Sequence, residues 1–303
     1  DSLVVRDQTG LAGWTSKSVA ASVTVAGEIA VAGDLELSAK IGADVYRNVA
    51  LTGLYQLNAT TSATAVVDQG AKLSAQTVAV RAQTDASWTL EASDGIVGGR
   101  LGLDLAQTTQ ATVAGGATIR VSPVATTAAD GQTLTTAGLV VEALDKLDAN
   151  VRLDMADGQI KSLAGKTEGG DALQGFELGW TQLDLSRTTQ ALVGSAKQAT
   201  VTITGPLSGD QAASAGLIQV GAASLDKGGD TPGLNGTVMS SLVGLHRTVL
   251  DHVVEAGVSN ANINSSDLHI YAYADTQSQA LGKVAMQSIT GRSAAWLLGS
   301  DVL

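Results

Sequence analysis

The chain has 303 residues, no Cys, an aromatic share of 3% and a formal charge of −11. The acidic balance repels phosphate backbones and excludes nucleic-acid partners, and the absence of thiols excludes disulfides and zinc–thiolate sites. No uninterrupted run of roughly 20 apolar residues is present, so no helix is expected to span a membrane. The apolar share of 44% is mostly Ala, Val, Leu and Ile set among many Thr, Ser and Gly, and that mixture predicts thin, regular layers of strands.

Two kinds of element alternate along the chain. Ser18 to Val25 opens the first, polar and Thr-bearing kind. Leu35-Glu36-Leu37-Ser38-Ala39 follows as the second, an apolar-x-apolar-x-Ala stretch. Asn58–Val67 returns to the first kind and Val78–Ala82 to the second, with every other residue of Gln76–Ala82 apolar or small. That period of two predicts a strand with one face on a core. Leu103–Val113 comes next. It is repeated at Leu183–Val193, identical except at Ala106/Ser186, Gln107/Arg187 and Thr112/Leu192. Val140–Ala143 and Leu217–Gly221 are again the second kind, as is Leu268–Ala272. Arg247–Val254 and Arg292–Gly299 are weaker copies of the first. Gly236–Glu255 is the best helical candidate of the chain, yet it aligns with the repeat and is read as strand.

The first kind is anchored near residues 18, 60, 108, 188, 248 and 293, in steps of about 42 to 60 residues except from 108 to 188. The long step contains polar insertions at Ser122–Thr136 and Asp157–Asp171, which repeat arrays carry on an outer face. Gly and Asp mark corners at Asp68-Gln69-Gly70, Gly98-Gly99, Gly115-Gly116 and Gly194-Ser195. Short strands, Gly corners and this period predict an all-β solenoid, a narrow parallel β-helix with coils of about 20 residues, two or more per repeat. The alternative is an array of small β-sandwich units. Residues 1–303 are read as a single elongated array. The opening at Asp1 and the stop at Leu303 are read as marks of a processed product or a piece of a longer chain.

Candidate chemistry is sparse. His246 and His252, with Asp251 beside the second, fall at even spacing on a strand. Both rings would share a face but stand about 20 Å apart, too far for one metal ion. His269 is expected to face solvent. Asp145, Asp148, Asp154 and Asp157, with Lys146 and Arg152, form the best carboxylate group for glycan cleavage. No aromatic sugar platform lies in that stretch, and a solvated charged face is the plainer reading. Asp226 with Asp230, or Glu168 with Asp171, could hold a structural calcium ion; no other cofactor is expected. Trp14, Trp88, Trp180 and Trp296 are read as one stacking position per unit.

The repeat grammar carried by Gln107–Ile119, Arg187–Ile203 and Asn58–Leu73 resembles that of very long bacterial surface proteins, the leukotoxin-like filamentous adhesins and related β-strand-repeat proteins. The resemblance covers most of the chain. It implies a right-handed parallel β-helix, export, and a place at the cell surface or in an extracellular matrix. The expected function is structural and non-enzymatic: a stiff rod or a self-assembling filament subunit. Its partners would be neighbouring segments or copies of itself, or glycans and proteins of other cells, met through the insertion loops. The alternatives are a carbohydrate-active β-helix enzyme and a glycan-binding module.

Overall fold

The computed structural model describes residues 2–8, 12–50, 54–93, 99–122, 126–127, 133–134, 138–154, 178–194, 199–203, 217–226, 234–239, 243–265, 267–275 and 278–283. All of their regular structure is β. In chain order the strands are β1 (Ser2–Gln8), β2 (Ala12–Val25), β3 (Glu28–Ala30), β4 (Leu35–Ala50), β5 (Leu54–Val67), β6 (Lys72–Ala75), β7 (Val78–Ser93), β8 (Gly99–Val113), β9 (Thr118–Val121), β10 (Thr126–Thr127) and β11 (Thr133–Leu134). There follow β12 (Leu139–Asp154), β13 (Leu178–Val193), β14 (Ala199–Ile203), β15 (Leu217–Asp226), β16 (Leu234–Met239), β17 (Val243–Val258), β18 (Ala261–Asn264), β19 (Asp267–Asp275) and β20 (Ser278–Lys283).

Three parallel sheets take these strands in rotation, except that β15 and β16, and again β19 and β20, both fall in the first sheet. The first sheet runs β1-β4-β7-β12-β15-β19, with β16 beside β12 and β20 beside β16. The second runs β2-β5-β8-β13-β17 and the third β3-β6-β9-β14-β18. Among the described residues only β10 and β11 pair antiparallel, as a two-stranded sheet inside the Ser122–Thr136 insertion. A strand therefore pairs with its counterpart one unit away, not with its neighbours in sequence. That is the stacking a solenoid needs, and it is the opposite of a sandwich array. The second kind of sequence element builds the first sheet and the first kind builds the second, apart from Arg292–Gly299, which lies outside the described residues. Gly236–Glu255 lies largely in β17, a strand as expected.

Alternation drives the packing. In β5, Tyr55, Leu57, Ala59, Thr61, Ala63, Ala65 and Val67 are buried, while the residues between them are not. In β7 the buried set is Val78, Val80, Ala82, Thr84, Ala86, Trp88, Leu90 and Ala92. The inward residues of all three sheets join one core. Val25, Val67, Val113, Val193 and Val258 each end a strand of the second sheet, in register with one another. Just beyond each Val the chain turns into the third sheet through a positive φ, at Gly27, Gly70, Gly116, Gly194 and, in the last case, Asn260. The turns bond to one another from unit to unit: Asp68 N to Val25 O at 2.8 Å, Ala114 N to Val67 O at 2.8 Å, Gly194 N to Val113 O at 2.8 Å and Ser259 N to Val193 O at 2.9 Å. The corner is thus a ladder in its own right.

One expectation needs correction. One sequence repeat supplies one strand to each of the three sheets, so a coil of the array would be a whole repeat, not one of two or more coils of about 20 residues. Thr61 and Gln107, neighbours in the ladder, lie 46 residues apart, and Gln110 and Gln190 lie 80 apart where insertions lengthen the coil. The coil is also wide: β4, β7, β12, β13 and β17 have 16 residues each, about 50 Å of extended chain. In chain order Ser122–Thr136 falls between the third sheet and the first, and Asp157–Asp171, which lies outside the described residues, between the first and the second.

Candidate functional site

The carboxylate group expected from the sequence is split by the alternation of β12. Asp145 has the phase of Val141, Ala143, Leu147 and Ala149, so it points into the core and is fully buried. Asp148 and Lys146 have the opposite phase and face outward, as does exposed Arg152. Asp145 and Asp148 therefore cannot act on one bond. Asp154 is described only in its backbone, and Asp157 lies outside the described residues.

Inside, Asp145 anchors a polar cluster. The second sheet contributes one inward row, Thr61, Gln107, Arg187 and His252. The first sheet faces it with Thr84, Asp145 and Ser224. Arg187 Nε donates to Asp145 Oδ2 at 3.1 Å, and Thr189 and Ser224 hydroxyls donate to the same oxygen at 3.3 Å each. Gln107 Nε2 donates to Asp145 Oδ1. The guanidinium also reaches Leu225 O at 3.1 Å and Asp226 Oδ1 at 3.5 Å. Buried charges survive when paired and hydrogen-bonded like this. Asp226, a calcium candidate in the sequence, is committed to Arg187; Asp230, Glu168 and Asp171 lie outside the described residues. Sequence reasoning missed Gln107 and Arg187, although each shares the phase of the leucines two residues before it.

His246 and His252 do point to the same face of β17, inward. His246 touches Thr181 Oγ1 at 2.8 Å and Thr248 Oγ1 at 2.7 Å, and burial lowers its pKa to about 4. Its ring fills the space beside Gly236, where a Cβ would lie 1.7 Å from it. His252 touches Ser224 Oγ at 2.8 Å. Burial lowers its pKa, Arg187 adds to that and Asp145 opposes it. His269 is exposed, with Asp267 Oδ2 3.3 Å away. The tryptophans do not share one stacking position. Trp88 is in the core, Trp14 is exposed on the second sheet, and Trp180 faces outward under the Arg100 guanidinium, 5.4 Å from its ring centre. Trp296 lies outside the described residues. Asp104 and Asp184 stand side by side on that outer face. Burial, then Asp184, raises the pKa of Asp104.

An open site lies on the outer face of the first sheet. A cleft of about 420 Å³ is lined by Glu36 and Lys40 of β4, Arg81 and Gln83 of β7, and Glu142 and Leu144 of β12. Arg81 lies between two carboxylates, 3.6 Å from Glu36 and 3.4 Å from Glu142. Tyr271 of β19 crosses β15 to reach Glu142 Oε1 at 3.4 Å, and Gln219 Nε2 donates to its hydroxyl at 3.1 Å. The ring occupies the space above Gly221, where a Cβ would fall 2.1 Å from it. Burial raises the Tyr271 pKa, Glu142 adds to it and the Gln219 bond opposes it. Tyr273, 53% exposed, stands in the same row as Leu144. Among the described residues no group of three or more His, Asp or Glu is placed to hold a metal ion. No family model, curated protein or solved structure matches the chain.

Proposed function

We propose that the chain is a structural, non-enzymatic segment of an exported cell-surface adhesin or extracellular fibre, folded as a closed, right-handed parallel β-helix. The observation that carries the reading is the unbroken register of the second sheet from β2 to β17, corner ladder included. Right-handedness follows the general preference of parallel crossovers. Six stacked strands span only roughly 25–30 Å, while the coil is about 50 Å wide. A rod therefore arises by stacking further coils or further copies on the ends, along the direction in which the end strands leave one edge without a described partner. The acidic charge keeps finished fibres apart.

Electron microscopy of the purified chain over a range of concentrations tests the reading. Stacks of constant width that lengthen with concentration are expected. Particles that stay single at every concentration would count against end-to-end assembly. Turnover of an acidic or neutral polysaccharide, read as reducing ends or unsaturated products, would replace the structural reading with the enzymatic one.

A further inference from the structure

We infer that the cleft on the outer face of the first sheet is a binding site for a neutral oligosaccharide. Three observations carry this beyond the structural role. The first is balance of charge. Glu36 and Glu142 are matched by Lys40 and Arg81, in a chain whose overall charge is −11. A balanced cleft selects neither anions nor cations, so its occupant is uncharged.

The second is the kind of polar group present. The carboxylates and guanidinium of the cleft and the Gln83 amide offer paired acceptors and donors fixed in a plane; Gln219, outside the lining, holds Tyr271. Vicinal hydroxyls both donate and accept, and they bridge such planar groups in pairs. Arg81 is held between two carboxylates and Tyr271 between Glu142 and Gln219. These groups are ordered before a ligand arrives, which lowers the entropy cost of binding.

The third is the aromatic edge. Tyr271 covers Gly221 and keeps 38% of its surface exposed, and Tyr273 beside it keeps 53%. A phenol ring has an apolar face for the C–H side of a pyranose and a hydroxyl for its rim. Gly221 is what lets the Tyr271 ring lie there: any side chain at that position displaces it. Neither tyrosine is part of the cleft's lining, and Tyr271 adjoins it through Glu142. A cleft with few oriented polar groups and an aromatic side chain next to it is a general form of small-ligand site. A peptide would find no unpaired strand edge in the cleft to extend, because β7 and β12 are both paired on either side.

Titration calorimetry with cellohexaose, chitohexaose, xylohexaose and laminarihexaose, and with hexagalacturonate as the acidic control, tests the site. Binding of at least one neutral hexasaccharide is expected, with hexagalacturonate weaker by about tenfold or more. Tyr271→Ala and Arg81→Ala are each expected to weaken it at least about tenfold, the equivalent of about 1.4 kcal/mol. Gly221→Ala, which moves the ring without removing it, is expected to do the same. Asp104→Asn on the other face is expected to change nothing. Circular dichroism melts of each variant identify any that fail to fold, and Gly221→Ala and Arg81→Ala then decide in place of Tyr271→Ala. Binding of none of the neutral sugars, preference for the acidic one, or indifference to these substitutions would overturn the inference. So would a protein ligand that competes for the cleft while no sugar does. Binding is read on single chains, so failure to form fibres leaves this test intact.

Discussion

At the scale of single residues, Asp145 and Arg187 dominate. Both side chains are fully buried, so removing Asp145 takes the buried carboxylate from Arg187 and leaves it only Asp226 Oδ1 at 3.5 Å and Leu225 O at 3.1 Å. Asp145→Ala is expected to cost about 3–5 kcal/mol in urea unfolding. The paired replacement Asp145→Leu with Arg187→Met is expected to recover most of that loss or exceed wild type, because desolvation of the two ions disappears with them. A double mutant as unstable as Asp145→Ala would mean that the surrounding hydroxyls, not the charges, hold the cluster. The histidines set a pH dependence. In the folded chain His246 has its pKa lowered from 6.5 to about 4 by burial, so between those values the unfolded chain binds more protons. Stability is then unaffected by this ring above pH 6.5, falls as pH drops through that window, and levels off below about 4. His252 shifts in the same direction. Melting temperatures at pH 7 and pH 4.5 should differ less in His246→Gln than in wild type.

At the scale of elements, the corner between the second and third sheets makes a graded prediction. At Gly70 (φ +80°) a Cβ meets nothing within 4 Å, so Gly70→Ala carries backbone strain alone, about 1–2 kcal/mol. At Gly194 (φ +87°) a Cβ would lie 1.7 Å from Ser259 O, which belongs to the next coil. Gly194→Ala should therefore cost clearly more, and thermal melts of the two variants compare them directly. Gly70, Gly115-Gly116 and Gly194 were legible as corners from composition. So was strand identity, because alternation survives even where register does not. Thr60-Thr61 aligns by eye with Thr108-Thr109, yet Thr61 pairs with Gln107. A shift of two residues leaves every side chain on its own face, so pattern cannot detect it. Coil size was misread because strands such as Glu28–Ala30 and Lys72–Ala75 are too short to show a period. The inner cluster left a faint trace, since Asp145, Gln107 and Arg187 sit on the apolar phase. The cleft left none: Tyr271 and Glu142 are 129 residues apart, and only sheet order brings them together.

At the scale of the whole molecule, nearly all pairing joins segments a full coil apart. Loop closure must precede each gain, so folding is expected to be slow, with stopped-flow refolding in the range of milliseconds to seconds or longer. The corner ladder has a mechanical consequence. Its hydrogen bonds run along the stacking axis, in line with those of the three sheets. Tension applied along that axis loads one coil boundary at a time, so coils should peel off in sequence rather than yield together. Each event frees one coil of chain. A 46-residue coil releases about 155 Å of contour and an 80-residue coil about 270 Å. In an optical trap the chain would behave as a ruler with unequal divisions, and its sawtooth would read out, from the end inward, where the insertions lie.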